Sequence, residues 1–394
     1  MSDMSQVAMI NDLTDEVAQW RRDFHANPEL MYDVHRTAET VANKLREFGV
    51  DEVVTGIGRT GVVGIIKGRD TNSARVVGLR ADMDALPIEE ATGLPYASTR
   101  KGLMHACGHD GHSAMLLGAA RHLARTRNFN GAVALIFQPA EEGGAGGKAM
   151  VDDGMMDRFG IQEVYGLHNL PGAPLGHFGI RPGPMLAASD RFTIDVTGRG
   201  GHAAYPHMTV DATLVAGHVM VMLQSIASRN VDPLESAVLS VTTVHAGEAF
   251  NVIPETARLT GTVRTLDPSI RDLMEGRIAE VADMTARALG AKAVVDYERS
   301  YPVLVNHAEQ TSFAAGVAED VVGAAAVDRD RRPTMGGEDF AFMLQARPGA
   351  FIFAGIGEDR ARLHHPMYDF NDDLIPTGCS YWVRLVEKTM PAAG

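Results

Sequence analysis

Cysteine is almost absent: the 394 residues hold only Cys107 and Cys379. A disulfide scaffold is thereby excluded, and the pattern is that of a reducing compartment. No apolar run reaches the roughly 18 residues that a membrane-spanning helix needs. The first twenty residues carry neither the basic stretch nor the apolar core of a secretory leader. The expectation is a soluble, cytoplasmic protein with no membrane partner. Positive charge is also scarce, with 36 Lys and Arg against 50 Asp and Glu and a net charge of −14. That balance works against non-specific binding of a polyphosphate chain, so no nucleic-acid partner is expected. Several catalytic signatures are missing too. There is no G-x-S-x-G nucleophile elbow and no H-E-x-x-H helix. Residues 143–148 only superficially resemble a phosphate loop, because the glycine spacing is wrong and Ala149 stands where Ser or Thr would hold magnesium. Residues 56–61 do match G-x-G-x-x-G, but the apolar run 62–66 that follows reads as strand, so a turn is expected and not a dinucleotide site.

What is present is ordinary globular composition, 45% hydrophobic and 22% charged, in a chain long enough for two or three domains at about 150 residues each. Residues 12–24 and 37–48 have apolar positions at helical spacing, the second run stopped by Gly49. Short runs rich in Val, Ile and Leu follow at 62–66, 76–79, 133–137 and 164–167, alternating with helical stretches such as 113–126. That rhythm predicts an α/β fold with a mainly parallel, buried sheet and helices on both faces. Near residue 185 the chain changes character. A linker-like stretch leads into strand 190–197, helix 211–229, strands 237–245 and 257–265, helix 268–289 and strand 292–298. The order β-α-β-β-α-β predicts an inserted two-layer α+β satellite domain, 186–299, interrupting a discontinuous main domain, 1–185 and 300–394. The main-domain rhythm then returns, with 351–355 as a buried strand.

Five places could carry chemistry. His105-Ala106-Cys107-Gly108-His109-Asp110-Gly111-His112 packs three His, a Cys and an Asp into eight residues, and a thiolate and an imidazole two residues apart can face one metal ion. Glu141 and Glu142 follow the strand 133–137, where open α/β sheets place their ligands; one carboxylate can bind metal while the other serves as general base. His168 ends the strand 164–167, and His364 and His365 form a pair near the C-terminus. Asp82 and Asp84 end the strand 76–79, and carboxylates so placed commonly orient metal-bound His. Singly, each would be an acidic turn or a structural histidine. Jointly they point to a metal site. Cys379, near a C-terminal helix, reads as a small buried hydrophobe.

Taken in order, RADMDALPI, MHACGHDGH, FQPAEEGGAG, GLHN, GRGGHAAYPH, AFNVIP, GTVRT, GGEDF and LHHPMYDFND resemble the amidohydrolase branch of the dinuclear metallopeptidases. That branch includes hippurate hydrolase, N-acyl-amino-acid amidohydrolase and the auxin-conjugate hydrolases, with aminoacylase and the glutamate carboxypeptidases as more distant relatives. The match runs from about residue 20 to the C-terminus. The resemblance implies two divalent metal ions (manganese, zinc, cobalt or nickel), with Cys107 bridging, His109 and His168 at one ion, and Glu142 and His364 at the other. It makes Glu141 the general base and sets Asp84 beside the ligands without being one. The satellite domain would bring His202 and Asn251 to the substrate's carboxylate or scissile carbonyl, as a lid or from a second copy in a homo-oligomer. The implied activity is hydrolysis of the linear amide of an N-acyl amino acid to a carboxylic acid and a free amino acid. Rivals are a dipeptidase or carboxypeptidase on the same site and a non-catalytic metal-dependent binding protein, which would need no general base.

Overall fold

Strands without a polar side must be covered on both faces, and the runs at 62–66, 76–79, 133–137 and 164–167 are. The computed structural model describes residue 10 and residues 12–392, and the chain divides into two compact units. The first takes in the chain up to Gly183, Val305–Arg332 and the chain from Asp339 onward; the second takes in Pro184–Leu304 and Pro333–Glu338. The return of Pro333–Glu338 to the second unit has no counterpart in the sequence reading, which ends the insertion at 299.

In chain order the main elements are α1 (Thr14–Ala26), α2 (His35–Glu47), β1 (Glu52–Ile57), β2 (Gly61–Lys67), β3 (Val76–Asp82), α3 (His109–Thr126), β4 (Ala132–Gln138), α4 (Gly146–Asp152) and β5 (Glu163–Leu170). The second unit supplies β6 (Ala188–Thr197), β7 (Gly201–His202), α5 (Ala212–Arg229), β8 (Ala237–Ala246), β9 (Val252–Ile253), β10 (Thr256–Thr265), α6 (Pro268–Ala288) and β11 (Lys292–Tyr301). The first unit resumes with α7 (Ala308–Val322), α8 (Phe340–Ala346), β12 (Gly349–Gly355) and α9 (Ile375–Thr389).

An eight-stranded sheet in the order β1-β2-β4-β3-β5-β12, ending in the two-residue strands Phe178–Gly179 and Val327–Asp328, forms the first unit's centre. Its middle is parallel, β4 to β3 to β5 to β12, and β1 and β2 add an antiparallel edge. Val77, Leu79 and Ala81 of β3, Val133, Leu135 and Phe137 of β4, and Tyr165 and Leu167 of β5 join one core with Val17, Val41, Met115, Ala314 and Trp382 from α1, α2, α3, α7 and α9. The alternate residues face the other side. There Gly166 makes room for Phe351 and Phe340, whose rings would lie 2.6 and 3.3 Å from any Cβ added to it, and α8 packs on α4. Helices therefore cover both faces, as the sequence predicts. Burying each large apolar side chain is worth roughly 1.5–3 kcal/mol, so a polar residue on these strands costs stability. Arg80, Asp82, Gln138 and His168 are such residues, all buried and all on the α4 and α8 side.

The second unit has the expected β-α-β-β-α-β order, with the last strand extended to Tyr301. Its antiparallel sheet runs β8-β10-β6-β11. Burial alternates along β6 and β10 because only one face is covered, by α5 and α6. Both helices start at an Asp whose carboxylate accepts from two backbone N–H groups, Asp211 from Thr213 and Leu214, and Asp267 from Ser269 and Ile270. Two features of the first unit differ from the sequence reading. β1 is a strand that the sequence reading does not assign. Helix α3 begins at His109, not 113, because Gly108 caps it in the left-handed conformation (φ 90°) with no side-chain cap to signal the start. The G-x-G-x-x-G stretch forms the turn between β1 and β2 and opens no helix.

Candidate active site

Parallel strands gather their carboxyl ends on one edge of a sheet, and the residues singled out in the sequence lie there. Asp84 follows β3, Glu141 and Glu142 follow β4, His168 is near the end of β5, Cys107 and His109 open α3, and His364 follows β12. The ligand atoms of Cys107, His109 and His168 lie within 4.8 Å of one another, as do those of Cys107, Glu142 and His364, and those of His109, Glu141 and Glu142. Cys107 is common to the first two groups, so the donors could hold two ions with the sulfur between them. Cys107 Sγ is 3.4 Å from His168 Nε2, and His364 Nε2 is 3.2 Å from Glu142 Oε1.

The histidine tautomers fit metal binding. His109 Nδ1 lies 2.8 Å from the main-chain carbonyl of Asp84, and His168 Nδ1 lies 2.7 Å from that of Asn169. A carbonyl only accepts, so in each neutral ring Nδ1 carries the proton and Nε2 keeps its lone pair. His109 Nε2 is buried and makes no hydrogen bond among the described residues, an orphan that a cation would satisfy. Charge points the same way. Burial and the nearby Glu142, Glu141 and Asp82 push the Cys107 thiol well above its ordinary pKa. Burial alone would lower His109, but Asp82, Asp84 and Glu142 outweigh it and raise the ring to about 10. Burial likewise opposes ionisation of Glu142, yet His364 and His109 hold it below the usual carboxylate range. A thiolate amid carboxylates is stable only with positive charge beside it, so this donor set suits divalent cations.

Local backbone geometry places these groups. Asp84 accepts from the backbone N–H of both Glu141 (2.9 Å) and Glu142 (3.0 Å), fixing the acidic turn without spending its carboxylate on a metal. The turn enters the left-handed region at Ala140 (φ 54°) and Ala145 (φ 55°). A Cβ on Gly146 would stand 1.7 Å from Pro139 O, so only glycine closes it. His364 is itself left-handed (φ 62°), a strain worth about 1–3 kcal/mol that clusters at functional sites, and its N–H donates to Ala106 O at 2.8 Å.

Other residues surround the site; the sequence reading singles out His105, His112 and Asp82 without assigning them roles, and it gives none to Arg80, Asn169 or Tyr368. His112 donates from Nδ1 to Asp82 (2.7 Å) and accepts at Nε2 from Asn169 N (3.0 Å), so both of its nitrogens are used within the protein, although it also forms a possible ligand group with Asp82 and His109. Asn169 also donates to Cys107 O (2.6 Å) and accepts from the Tyr368 hydroxyl (2.9 Å). Arg80 donates to Asp82 (2.8 Å), Gln138 (2.9 Å) and Asp339 (3.1 Å) beneath the site. A charged residue two before Asp82, inside an otherwise apolar strand, was the signal available for Arg80. His105 is buried, lies in none of the candidate groups, and is pushed down to about 3 by burial. Cys379 sits in the core, its thiol 3.3 Å from Met115 O.

His202 and Asn251 belong to the second unit. There β7 pairs with β9, His202 opposite Val252, and Ala203 N donates to Asn251 O at 3.0 Å, so the two residues are neighbours. His202 is exposed, and its Nδ1 accepts from Ala204 N at 3.0 Å, which leaves the proton on Nε2 facing solvent.

Residues 78–388 match the family described as peptidase family M20/M25/M40. The chain is 44% identical to the hippurate hydrolase of Campylobacter jejuni over 385 residues, covering 98% of this chain and 99% of that protein. It is 40% identical to an N-acetyl-L-cysteine deacetylase of Bacillus subtilis, covering 95% and 88% respectively. Among solved structures, a Bacillus subtilis protein described as a dinuclear metal binding peptidase from the M20 family superposes with a TM-score of 0.83 at 32% identity, covering 96% of this chain and 99% of that one.

Proposed function

Because the chain belongs to the peptidase family M20/M25/M40, we propose that it is a metal-dependent amidohydrolase cleaving N-acyl amino acids to a carboxylic acid and a free amino acid. The carrying observation is the convergence of Cys107, His109, His168, Glu142 and His364, with Glu141 beside them. The hippurate and N-acetylcysteine hydrolases among its relatives support the substrate class. Two divalent ions, of manganese, zinc, cobalt or nickel, would supply Lewis acidity to the amide carbonyl and to water.

The chain's own groups do the rest. Cys107 lies between the two ligand groups, with His109 and His168 on one side and Glu142 and His364 on the other. Glu141, held by Asp84 through its backbone, takes a proton from the attacking water and returns it to the departing nitrogen. His202, with its Nε2 proton free, donates to the developing oxyanion, and Asn251 beside it contacts the substrate. The second unit acts as lid and as the surface for a homo-oligomer. A free, buried thiol ligand suits the cytoplasm. The test is release of free amino acid from hippurate, N-acetyl amino acids and unblocked dipeptides by metal-loaded protein. Preference for the blocked substrates is expected. Turnover of dipeptides alone would replace this reading with a dipeptidase.

A further inference from the structure

At the outer edge of the first unit's sheet lies a cavity of about 250 Å³, lined by the apolar Leu170, Pro174, Phe178 and Val327 and by the polar His177, Asp328 and Arg331. The Arg331 guanidinium has no carboxylate partner among the described residues. Its Nε is buried without a hydrogen bond. Burial pulls its pKa down although Asp328 is near. Its stem runs across Gly179, where an added Cβ would come within 2.6 Å of Arg331 Cδ, so the glycine clears the path. The guanidinium carbon lies 5.2 Å from the centre of the Phe353 ring, a stacking that fixes the fork's orientation. A surface arginine normally turns to water or to a carboxylate. This one is held against an aromatic ring with its Nε unspent, in a chamber whose remaining lining is apolar apart from His177 and Asp328.

We propose that this cavity is a binding site for a small monocarboxylate with an apolar body. The carboxylate would sit on the Arg331 fork and the body against Leu170, Pro174, Phe178 and Val327. The volume is just below the roughly 300–1,000 Å³ of sites for drug-sized ligands, which suits a molecule the size of benzoate. The planar fork matches a carboxylate in two parallel hydrogen bonds, and the negative charge of Asp328 in the lining weighs more heavily against a multiply charged anion such as phosphate. Phe353 also packs against the His168 ring, with centres 6.0 Å apart, but no candidate metal ligand lines the cavity, so the site stands whether or not the chain hydrolyses N-acyl amino acids.

The experiment is calorimetric titration of the intact protein with benzoate, benzamide and inorganic phosphate, before and after chelation of metal, together with a crystal soaked in benzoate. Chelation removes metal-dependent binding of a carboxylate at the candidate active site and leaves the cavity untouched. Benzoate is expected to bind the chelated protein one to one, with density on Arg331, while benzamide and phosphate bind at least about ten-fold more weakly, the scale of one charge-assisted contact. Arg331→Met should lose this binding while keeping the wild-type melting temperature, and Arg331→Lys should retain part of it. Equal binding of benzamide, stronger binding of phosphate, undiminished benzoate binding by Arg331→Met, or density confined to the candidate active site would each overturn the proposal. If Arg331→Met does not fold, the soak and the benzamide comparison on the wild-type protein decide alone.

Discussion

Neighbouring carboxylates with different partners should behave differently when neutralised. Glu142 faces His364 and shares a donor group with Cys107, so Glu142→Gln should lower metal content. Glu141→Gln should keep metal and lose turnover by about 10² to 10⁴, the usual worth of a general base. Elemental analysis beside kinetics separates them, and the opposite pattern would exchange their roles. Protons give a second handle. Without metal, the Cys107 thiol is raised well above its ordinary value and His109 to about 10, so near pH 7 both hold protons. Metal binding needs them off, so loading should release about two protons and affinity should climb as pH rises towards 10. Calorimetry in buffers of different ionisation enthalpy measures the release; a binding heat independent of buffer would refute it. The sequence makes these candidate ligands readable because Cys, His and Glu are rare together at strand ends. It hides Asn169 and Tyr368, whose contribution is a hydrogen bond between residues 199 positions apart that no local pattern encodes.

Helix α3 carries His109 in its first turn, and its start depends on Gly108. A Cβ there would stand 2.3 Å from Asn169 Nδ2 and 2.4 Å from the Tyr368 hydroxyl, at φ 90°. Gly108→Ala should therefore displace Cys107 and His109 together. Metal affinity is expected to fall at least ten-fold, alongside a stability loss of about 1–3 kcal/mol from the strained backbone. Titration with a chelator of known affinity and a denaturant melt would check both, and unchanged metal binding would show that the turn tolerates a side chain. The same glycine explains why sequence periodicity begins the helix four residues late: a helix whose first residues are polar, with no capping side chain, has no amphipathic start to detect. β3, β4 and β5 were legible for the opposite reason. They are buried on both sides, so their apolar runs are continuous. β1 is half exposed along its length and gives a weak pattern.

At the scale of the whole chain, the inserted order β-α-β-β-α-β was readable because a half-covered sheet alternates and its two helices are long. The return of Pro333–Glu338 to the second unit was not, since six residues carry no period. His202 belongs to one unit and the candidate metal ligands to the other, so its role is a question for the assembled protein. His202→Ala should leave folding and metal content unchanged and lower kcat by about 10²-fold or more, the scale of one oxyanion donor. Mixing it with Glu141→Gln should regenerate activity only if His202 acts across two copies; wild-type kcat in the single variant would make the residue structural. The interleaving of the units also orders events during synthesis. Nearly all of the second unit is one unbroken stretch, whereas the first lacks β12, His364 and α9 until well after that stretch has been made. Domains tend to fold as they emerge. The satellite should therefore be formed on the nascent chain while β5 still waits for its parallel neighbour, and the candidate metal ligands cannot all come together until His364 has emerged.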